Sequence, residues 1–578
     1  MSSILQKLTV IMVRAFDALD LPVEHAGVRV SGQVEAVQFQ CNGAMPCAKV
    51  AKKNPRDIAQ EIIDKVGQDS DVSGVFESLS VGGPGFINIT LKDAYIVEHF
   101  KFLSKDDRFG IPSVDGGQCV VLDYGGPNIA KSMHVGHLRS SIIGDTLRRI
   151  YLYAGYDAIG DVHMGDWGTP MGMILSELDI TAYDGDITME MLAEIYPKAS
   201  TACKEDDARM ALARKATRKL QNADEVYTRK WREFIDVSVV GMKKNFDALG
   251  VHFDEWKGES DAHPYIDDMI EDMKSQGLAV ESDGALIVHV SRDDDKKDVP
   301  PLILRKSDGA VLYGTTDMAT IIDRMAKNNP VKIIYVVDQR QSLHFEQVFR
   351  AVRVAGIAPE SKVALVHAGF GTMNGTDGKP FKTRSGGVMR LEDLISMAVE
   401  KAQKRLSEAD LAKDMDDDER ASVAHNVALA AVKFADLQNN RSADYVFDID
   451  RMTSFEGKTG PYLLYQAVRI KSLLRKAGVE GAVRVDSFQI MDGDRGLVLL
   501  LSELPDYFDS ALKNNTPHIL CDYVFKLAQE FSSFYGNCHI LSEKDETVKT
   551  SRLALCQQTY KTLVLVLGLL GIEVPDRM

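Results

Sequence analysis

Pro127-Asn128-Ile129-Ala130-Lys131-Ser132-Met133-His134-Val135-Gly136-His137-Leu138 is the stretch on which the reading of this chain turns. The apolar run Val120, Val121, Leu122 precedes it, and Gly125, Gly126 and Pro127 break that run, so a strand ends at the carboxyl edge of a sheet. Leu138, Ile142, Ile143, Leu147 and Ile150 then recur at helical spacing. Strand, glycine-rich turn and helix in this order bring free backbone N–H groups and the positive end of a helix dipole to a place where a polyphosphate can sit. His134 and His137 are three apart and can project from one side of the turn. Two imidazoles there can donate hydrogen bonds to phosphoryl oxygens as charge builds in a displacement at phosphorus. Gly136 between them has no Cβ, which allows a base or a ribose to lie against the backbone. Taken alone, two histidines at this spacing are better read as a metal pair or a merely polar helix start. A zinc site, however, wants further Cys or His at ligand spacing, and none stands nearby.

Working outward, strand and helix patterns alternate from about 118 to 404. Val331 to Val337 reads as a strand, Leu343 to Ala355 as a helix and Val363 to Val366 as another strand. This predicts a doubly wound parallel sheet of the Rossmann type, with its ligand crevice beyond the strand carboxyl ends. Asn128 to His137 and Asp338 to Gln341 both follow such strands and can line one crevice. Residues from about 175 to 300 interrupt the alternation and read as a helical insertion. Residues 1–117 mix helical and strand signals and end near Gly116-Gly117, giving an α+β domain. Beyond 405 the pattern is helical: Val427, Ala431, Phe434 and Leu437 share a face, as do Leu463, Ala467, Ile470 and Leu474.

Composition sets outer limits. A chain of 578 residues exceeds one core, so two to four domains are expected. Its seven cysteines, scattered from Cys41 to Cys556 without paired spacing, point to reduced thiols and a cytoplasmic setting. The apolar run Leu563 to Ile572 falls short of the ~20 residues of a membrane span and reads as a buried helix. A net charge of −16 argues against indiscriminate coating of nucleic acid, which rests on phosphate neutralisation. A local basic face is still compatible with an RNA partner. Arg209, Arg214, Lys215, Arg218 and Lys219 form one on a helix, although a solvated face balanced by nearby acids explains that cluster equally well.

His134-Val135-Gly136-His137 resembles the HIGH signature of class I aminoacyl-tRNA synthetases, and the flanking Pro127-Asn128 and Lys131-Ser132-Met133 narrow the resemblance to arginyl-tRNA synthetases. Further stretches resemble that family in the same order. These are Gly83-Pro84-Gly85-Phe86-Ile87-Asn88-Ile89, His163 to Thr169, Leu312 to Ala319, Gly378 to Gly387 in place of the usual KMSKS, and Phe455 to Tyr462 at the start of the anticodon domain. The resemblance implies ATP-dependent activation of L-arginine, with magnesium and no zinc, and transfer to the 3′ end of tRNA(Arg). It also implies a monomer, activation that requires bound tRNA, and an N-terminal domain that touches the tRNA.

In that light His134, His137, Lys131, Lys379 and Lys382 are the candidate catalytic residues. Gly136, Gly165, Asp166, Phe370 and Gly371 are assigned to ATP, although a Phe such as Phe370 is more often core than a base platform. A planar guanidinium calls for carboxylates that can accept it in bidentate fashion. Asp317 is the first choice, and Tyr313, four residues earlier, shares its face if the stretch is helical. The family implies that Tyr313, Asp317 and Gln341 contact the arginine side chain while Asn128 and His134 approach its backbone end. Asp123 and Glu259 are further acidic candidates. Tyr462 and Gln466 are the candidates for gripping the anticodon loop.

Three departures from the family pattern stand out. Gly125-Gly126 replace a usual Ser, Pro170 replaces a usual Gln, and the loop from Lys379 to Gly387 lacks a clear KMSKS. Lys131 can supply the positive charge that loop would have given. Three alternatives from two classes compete: among enzymes the cysteine synthetase and a small adenylyltransferase, and outside them a tRNA-binding protein that has lost catalysis. The absence of zinc-ligand cysteines near the active site disfavours the first of these, the long helical C-terminal part disfavours the second, and the retention of His134, His137, Asp317 and Gln341 disfavours the third.

Overall fold

Val120, Val121 and Leu122 are wholly buried because the strand that carries them, β1 (Cys119–Asp123), lies in the middle of a parallel sheet covered on both faces. In the computed structural model, which describes residues 3–32, 37–307, 309–375, 377–379, 381, 389–491 and 493–578, the chain divides into two compact units. One comprises Val114–Asp410 and Asp416–Thr453. The other comprises the residues up to Ser113, Leu411–Met415 and Ser454–Met578.

In the first unit, β1 is followed by α1 (Gly136–Tyr153), β2 (Asp157–Met164) and four helices, α2 (Thr169–Ile180), α3 (Met189–Glu205), α4 (Asp207–Gln221) and α5 (Glu225–Leu249). Next come β3 (Glu255–Gly258), the short α6 (Glu259–Ala262) and α7 (Ile266–Ser275). After a small antiparallel sheet the chain continues through α8 (Tyr313–Asn328), β4 (Lys332–Tyr335), α9 (Ser342–Val354), β5 (Ala364–His367), α10 (Leu391–Glu408) and α11 (Asp417–Leu437). The five sheet strands run in the order β5-β4-β1-β2-β3 and all pairings are parallel. The order reverses between β1 and β4, where Asp123 is paired with Tyr335. At such a switch point the crossovers leave in opposite directions and open a crevice. Ser140 of α1 bridges it, accepting the Gly125 N–H at 2.8 Å and donating to the Val336 carbonyl at 2.6 Å. One face of the sheet is packed by Met318, Ile321, Phe345, Val348 and Val352 together with Ile266, Met269 and Ile270.

The segment from 175 to 300 differs from a helical insertion. It contains β3, an edge strand whose Glu255 and Lys257 leave no apolar run to mark it. It also contains the hairpin Ala279–Ser282 and Ala285–Val288, joined by Asp283-Gly284 and extended by Leu302–Arg305. Asp-Gly between two strand-like runs is a hairpin signal, and both residues take positive φ here. The helical stretch beyond 404 is also divided, because α11 belongs to the unit that holds the parallel sheet. Its Asp436 is buried against Arg139 of α1.

In the second unit the N-terminal part is α+β, with a four-stranded antiparallel sheet ordered Val28–Val30, Phe39–Cys41, Phe86–Leu91, Phe76–Gly82. The C-terminal part is helical, from Gly460–Lys476 to Glu546–Leu569. The two parts share contacts: Phe100 stacks on Phe488 with ring centroids 4.2 Å apart, and Ser3 donates to Asp506 at 2.8 Å. No described helix is long and apolar enough to cross a membrane.

Candidate active site

A cleft of about 500 Å³ opens at the switch point. It is lined by Asn128, His134, Gly136 and His137 from the segment after β1, by Gln341 from the segment after β4 and by Phe370 and Gly371 after β5. Seven of the residues singled out in the sequence therefore meet in one place.

The two histidines brace each other. The backbone N–H of His134 donates to His137 Nδ1 at 3.1 Å, and the Gly136 N–H donates to His134 Nδ1 at 3.1 Å. Each ring thus accepts at Nδ1 and carries its proton at Nε2, so two N–H donors remain for a ligand. The rings lie 4.0 Å apart. Burial, then the neighbouring His134, holds His137 down to about 3, while burial and Lys131 lower His134. Both rings are neutral donors at neutral pH. The segment is pinned from across the cleft by Met389–Leu391: the Val135 N–H donates to the Met389 carbonyl at 3.0 Å and the Leu391 N–H to the Met133 carbonyl at 3.1 Å.

Phe370 and Gly371 are held by a residue the sequence reading passed over. Arg139, two residues beyond His137 and only 2% exposed, donates to the Gly371 carbonyl at 2.7 Å, to the Ala443 carbonyl at 3.1 Å and to Asp436 at 3.0 Å. Its guanidinium also faces the Phe370 ring at 5.7 Å. A charged residue on the otherwise apolar face of α1 was the available signal. Gly371 is required where it stands, since a Cβ would meet the Ala443 backbone at 2.6 Å.

The acidic candidates gather beside this cleft. Because α8 begins at Tyr313, Tyr313 and Asp317 are one turn apart on one face. Glu259, at the start of α6, is pushed up to about 8 by burial and then by the charges of Asp166 and Asp317. Asp166 turns its carboxylate to Ser260, accepting the backbone N–H at 3.0 Å and the hydroxyl at 2.5 Å. Asp166 therefore joins the acidic group and does not line the cleft, whereas Gly165 pairs with Asn128 in a parallel bridge. Asp123 is already engaged within the chain. Its Oδ2 accepts from Arg324 at 2.6 Å, and that fully buried guanidinium also binds Asp161 at 2.6 Å. Asp317 Oδ2 meets His344 Nε2 at 2.5 Å.

Lys131 lies outside the cleft lining, with its ammonium 4.5 Å from the centre of the Tyr196 ring on α3. Lys379 is exposed on the turn at Gly378, and Lys382 falls outside the described residues. Two of the sequence departures have local causes. Gly125 has φ +83° and its Cβ would lie 2.9 Å from the Phe253 ring, so a serine is disfavoured twice. Pro170 stands in the first turn of α2, where no intrahelical bond to its nitrogen is needed. Of the basic residues on α4, Arg209 is paired with Glu177 while Arg214, Lys215 and Arg218 are exposed.

In the C-terminal helices, Tyr462 is half-buried with its ring edge on Phe525, and Gln466 is 4% exposed, inside the bundle. A wide cleft of about 890 Å³ opens on the next turn, where Tyr465, Arg469, Arg475, Tyr535, Tyr560 and Lys561 combine cations with aromatic rings. Arg469 lies over Tyr535 at 4.2 Å.

Residues 100–449 match the family of class I tRNA synthetases (R), catalytic domain; residues 463–578 match the DALR anticodon binding domain, and residues 3–91 the arginyl tRNA synthetase N terminal domain. The chain is 49% identical to an arginine-tRNA ligase of Maricaulis maris and 47% identical to one of Hyphomonas neptunium, with all of each chain covered. Its fold is shared with the crystal structure of the Plasmodium falciparum arginyl-tRNA synthetase (TM-score 0.85, 26% identity) and with the Thermus thermophilus arginyl-tRNA synthetase (TM-score 0.81, 22% identity), each covered in full.

Proposed function

The chain belongs to the class I arginyl-tRNA synthetase family and is an arginine-tRNA ligase, and from that premise we propose how its residues divide the work. In the first step the arginine carboxylate attacks the α-phosphorus of ATP, forming arginyl-adenylate and releasing pyrophosphate. In the second, a ribose hydroxyl at the 3′ end of tRNA(Arg) attacks the acyl carbon and AMP leaves. Little covalent work falls to the protein, so positioning and stabilisation of charge dominate.

His134 and His137 donate from Nε2 to the phosphates, with Gly136 leaving room for the nucleotide. Phe370 and Gly371 wall the nucleoside, set by Arg139, and Gly165 supports Asn128. Lys131 leaves Tyr196 to meet the pyrophosphate charge, with Lys379 and Lys382 as secondary cations. Tyr313, Asp317 and Gln341 take the arginine side chain, Asn128 and His134 its backbone end, and Glu259 adds a carboxyl that ionises when the cation binds, whereas Asp123 is taken up by Arg324 and serves the pocket only by holding that guanidinium. A planar cation satisfied by fork-matched acceptors excludes lysine, whose ammonium cannot fill both. Magnesium enters with the ATP phosphates as part of that substrate, because Mg²⁺ dehydrates reluctantly and is commonly held through substrate phosphates.

For the anticodon, the Tyr465, Arg469 and Tyr535 cleft suits unstacked bases better than Gln466, which is buried. Residues 1–117 are proposed to touch the tRNA elsewhere, 118–404 to carry the chemistry and 405–578 to connect to and grip the anticodon loop. A monomeric state and a cytoplasmic location are carried over from the family resemblance and the cysteine spacing.

The observation that carries this reading is the pair of neutral imidazoles, each with Nε2–H free, in the switch-point cleft. It is tested by arginine-dependent exchange of pyrophosphate into ATP with and without tRNA. Exchange only in the presence of tRNA supports the reading, and exchange with equal rate in its absence contradicts the coupling.

A further inference from the structure

Asp317 stands on α8 and Gln341 on the turn that leads into α9, so the two proposed partners of the guanidinium belong to different elements. One side chain links them. His344, in the first turn of α9 and close after Gln341, places Nε2 2.5 Å from Asp317 Oδ2. Asp317 Oδ1 has no partner among the described residues. The His344 backbone is itself fixed, because Phe345 beside it is 4% exposed and packs on Tyr335 at 4.8 Å and on His367 at 5.1 Å between ring centroids.

We propose that His344 is a positioning residue for amino-acid selection: by donating from Nε2 to one oxygen of Asp317 it fixes the carboxylate plane, presents Oδ1 to a guanidinium and sets the spacing between Asp317 and Gln341. A carboxylate free to rotate about its terminal torsion spends only part of its time in the orientation that a planar fork requires. An ammonium, which bonds as a point charge, is far less sensitive to that orientation. His344 therefore favours arginine over lysine-like competitors without touching either. The inference rests on the assignment of Asp317 to the arginine side chain.

The test is steady-state aminoacylation by full-length variants at saturating tRNA. In His344→Gln the amide nitrogen reaches the place of Nε2, whereas in His344→Asn it stops at the place of Nδ1. His344→Asn and His344→Ala are expected to raise the KM for arginine by about ten-fold, the scale of one hydrogen bond to a charged group, with kcat and the KM for ATP nearly unchanged. His344→Gln is expected to restore most of the loss. Asp317→Asn separates the two levels of inference. If it leaves the KM for arginine unchanged, the assignment of Asp317 fails. If it raises that KM while His344→Asn and His344→Gln both behave as wild type, the role of His344 is overturned and the pocket stands. Equal losses in His344→Asn and His344→Gln, or a fall in kcat at constant KM, overturn it as well.

Discussion

The backbone N–H of His134 donates to His137 Nδ1, which fixes the proton of His137 on Nε2 and turns that N–H away from the protein backbone. Substitution can separate the two ring nitrogens. His137→Asn keeps an acceptor for the His134 N–H but loses the outer donor, and His137→Gln keeps the outer donor. Arginine activation should fall by about a hundred-fold or more in His137→Asn and distinctly less in His137→Gln, as for loss of one transition-state donor. With His137 held near 3, wild-type activation should also show no inflection from this ring between pH 6 and 8. Pyrophosphate exchange across that range checks both points; a smaller loss in His137→Asn than in His137→Gln would place the function in the brace.

Lys131 lies close enough to the motif to depress the two histidines, whereas Lys379 is exposed on the turn at Gly378. Lys131→Ala should lower kcat for activation far more than Lys379→Ala. Equal, modest effects would remove Lys131 from the role of the missing KMSKS lysine.

Glu259 gives a pH dependence with a defined sign. Its carboxyl, pushed up to about 8 by burial and by Asp166 and Asp317, is protonated in the empty pocket at neutral pH. The charged and titratable groups around it are Asp166, Asp317 with its partner His344, and Tyr313. A bound guanidinium favours the ionised form, so arginine binding below pH 8 releases a proton and is promoted by rising pH. The KM for arginine should decline between pH 7 and about 8 and then level off, and Glu259→Gln should abolish that step. Persistence of the step in Glu259→Gln would assign it elsewhere.

Gly125→Ser restores the residue common in the family and is nevertheless expected to destabilise. Positive φ costs a non-glycine residue about 1–3 kcal/mol, and the new side chain meets Phe253 and Phe246. A lower thermal midpoint, read by calorimetry, is the expected result. An unchanged midpoint would show that both rings move aside.

Much of the site was legible because its residues are consecutive. Strand, break and helix were readable from Val120 to Ile150, and Tyr313 and Asp317 share a face as their spacing required. The sites assembled by long-range pairing were not. Arg139 with Asp436 and Asp317 with His344 join residues far apart in sequence, and no local pattern names the partner. The edge strand Glu255–Gly258 was hidden by its charges, and the Asp283-Gly284 turn of the hairpin that follows was missed inside a stretch read as helical. Gln466 shows the reverse error of a helical period: a polar residue one turn from Tyr462 points into the bundle because Leu463, Ala467 and Ile470 around it are core.

The most direct measurement is ATP-dependent charging of unfractionated tRNA with each amino acid supplied separately. The account predicts alkali-labile esterification of tRNA with arginine alone. Charging with any other amino acid, or tRNA binding without charging by arginine, would contradict it.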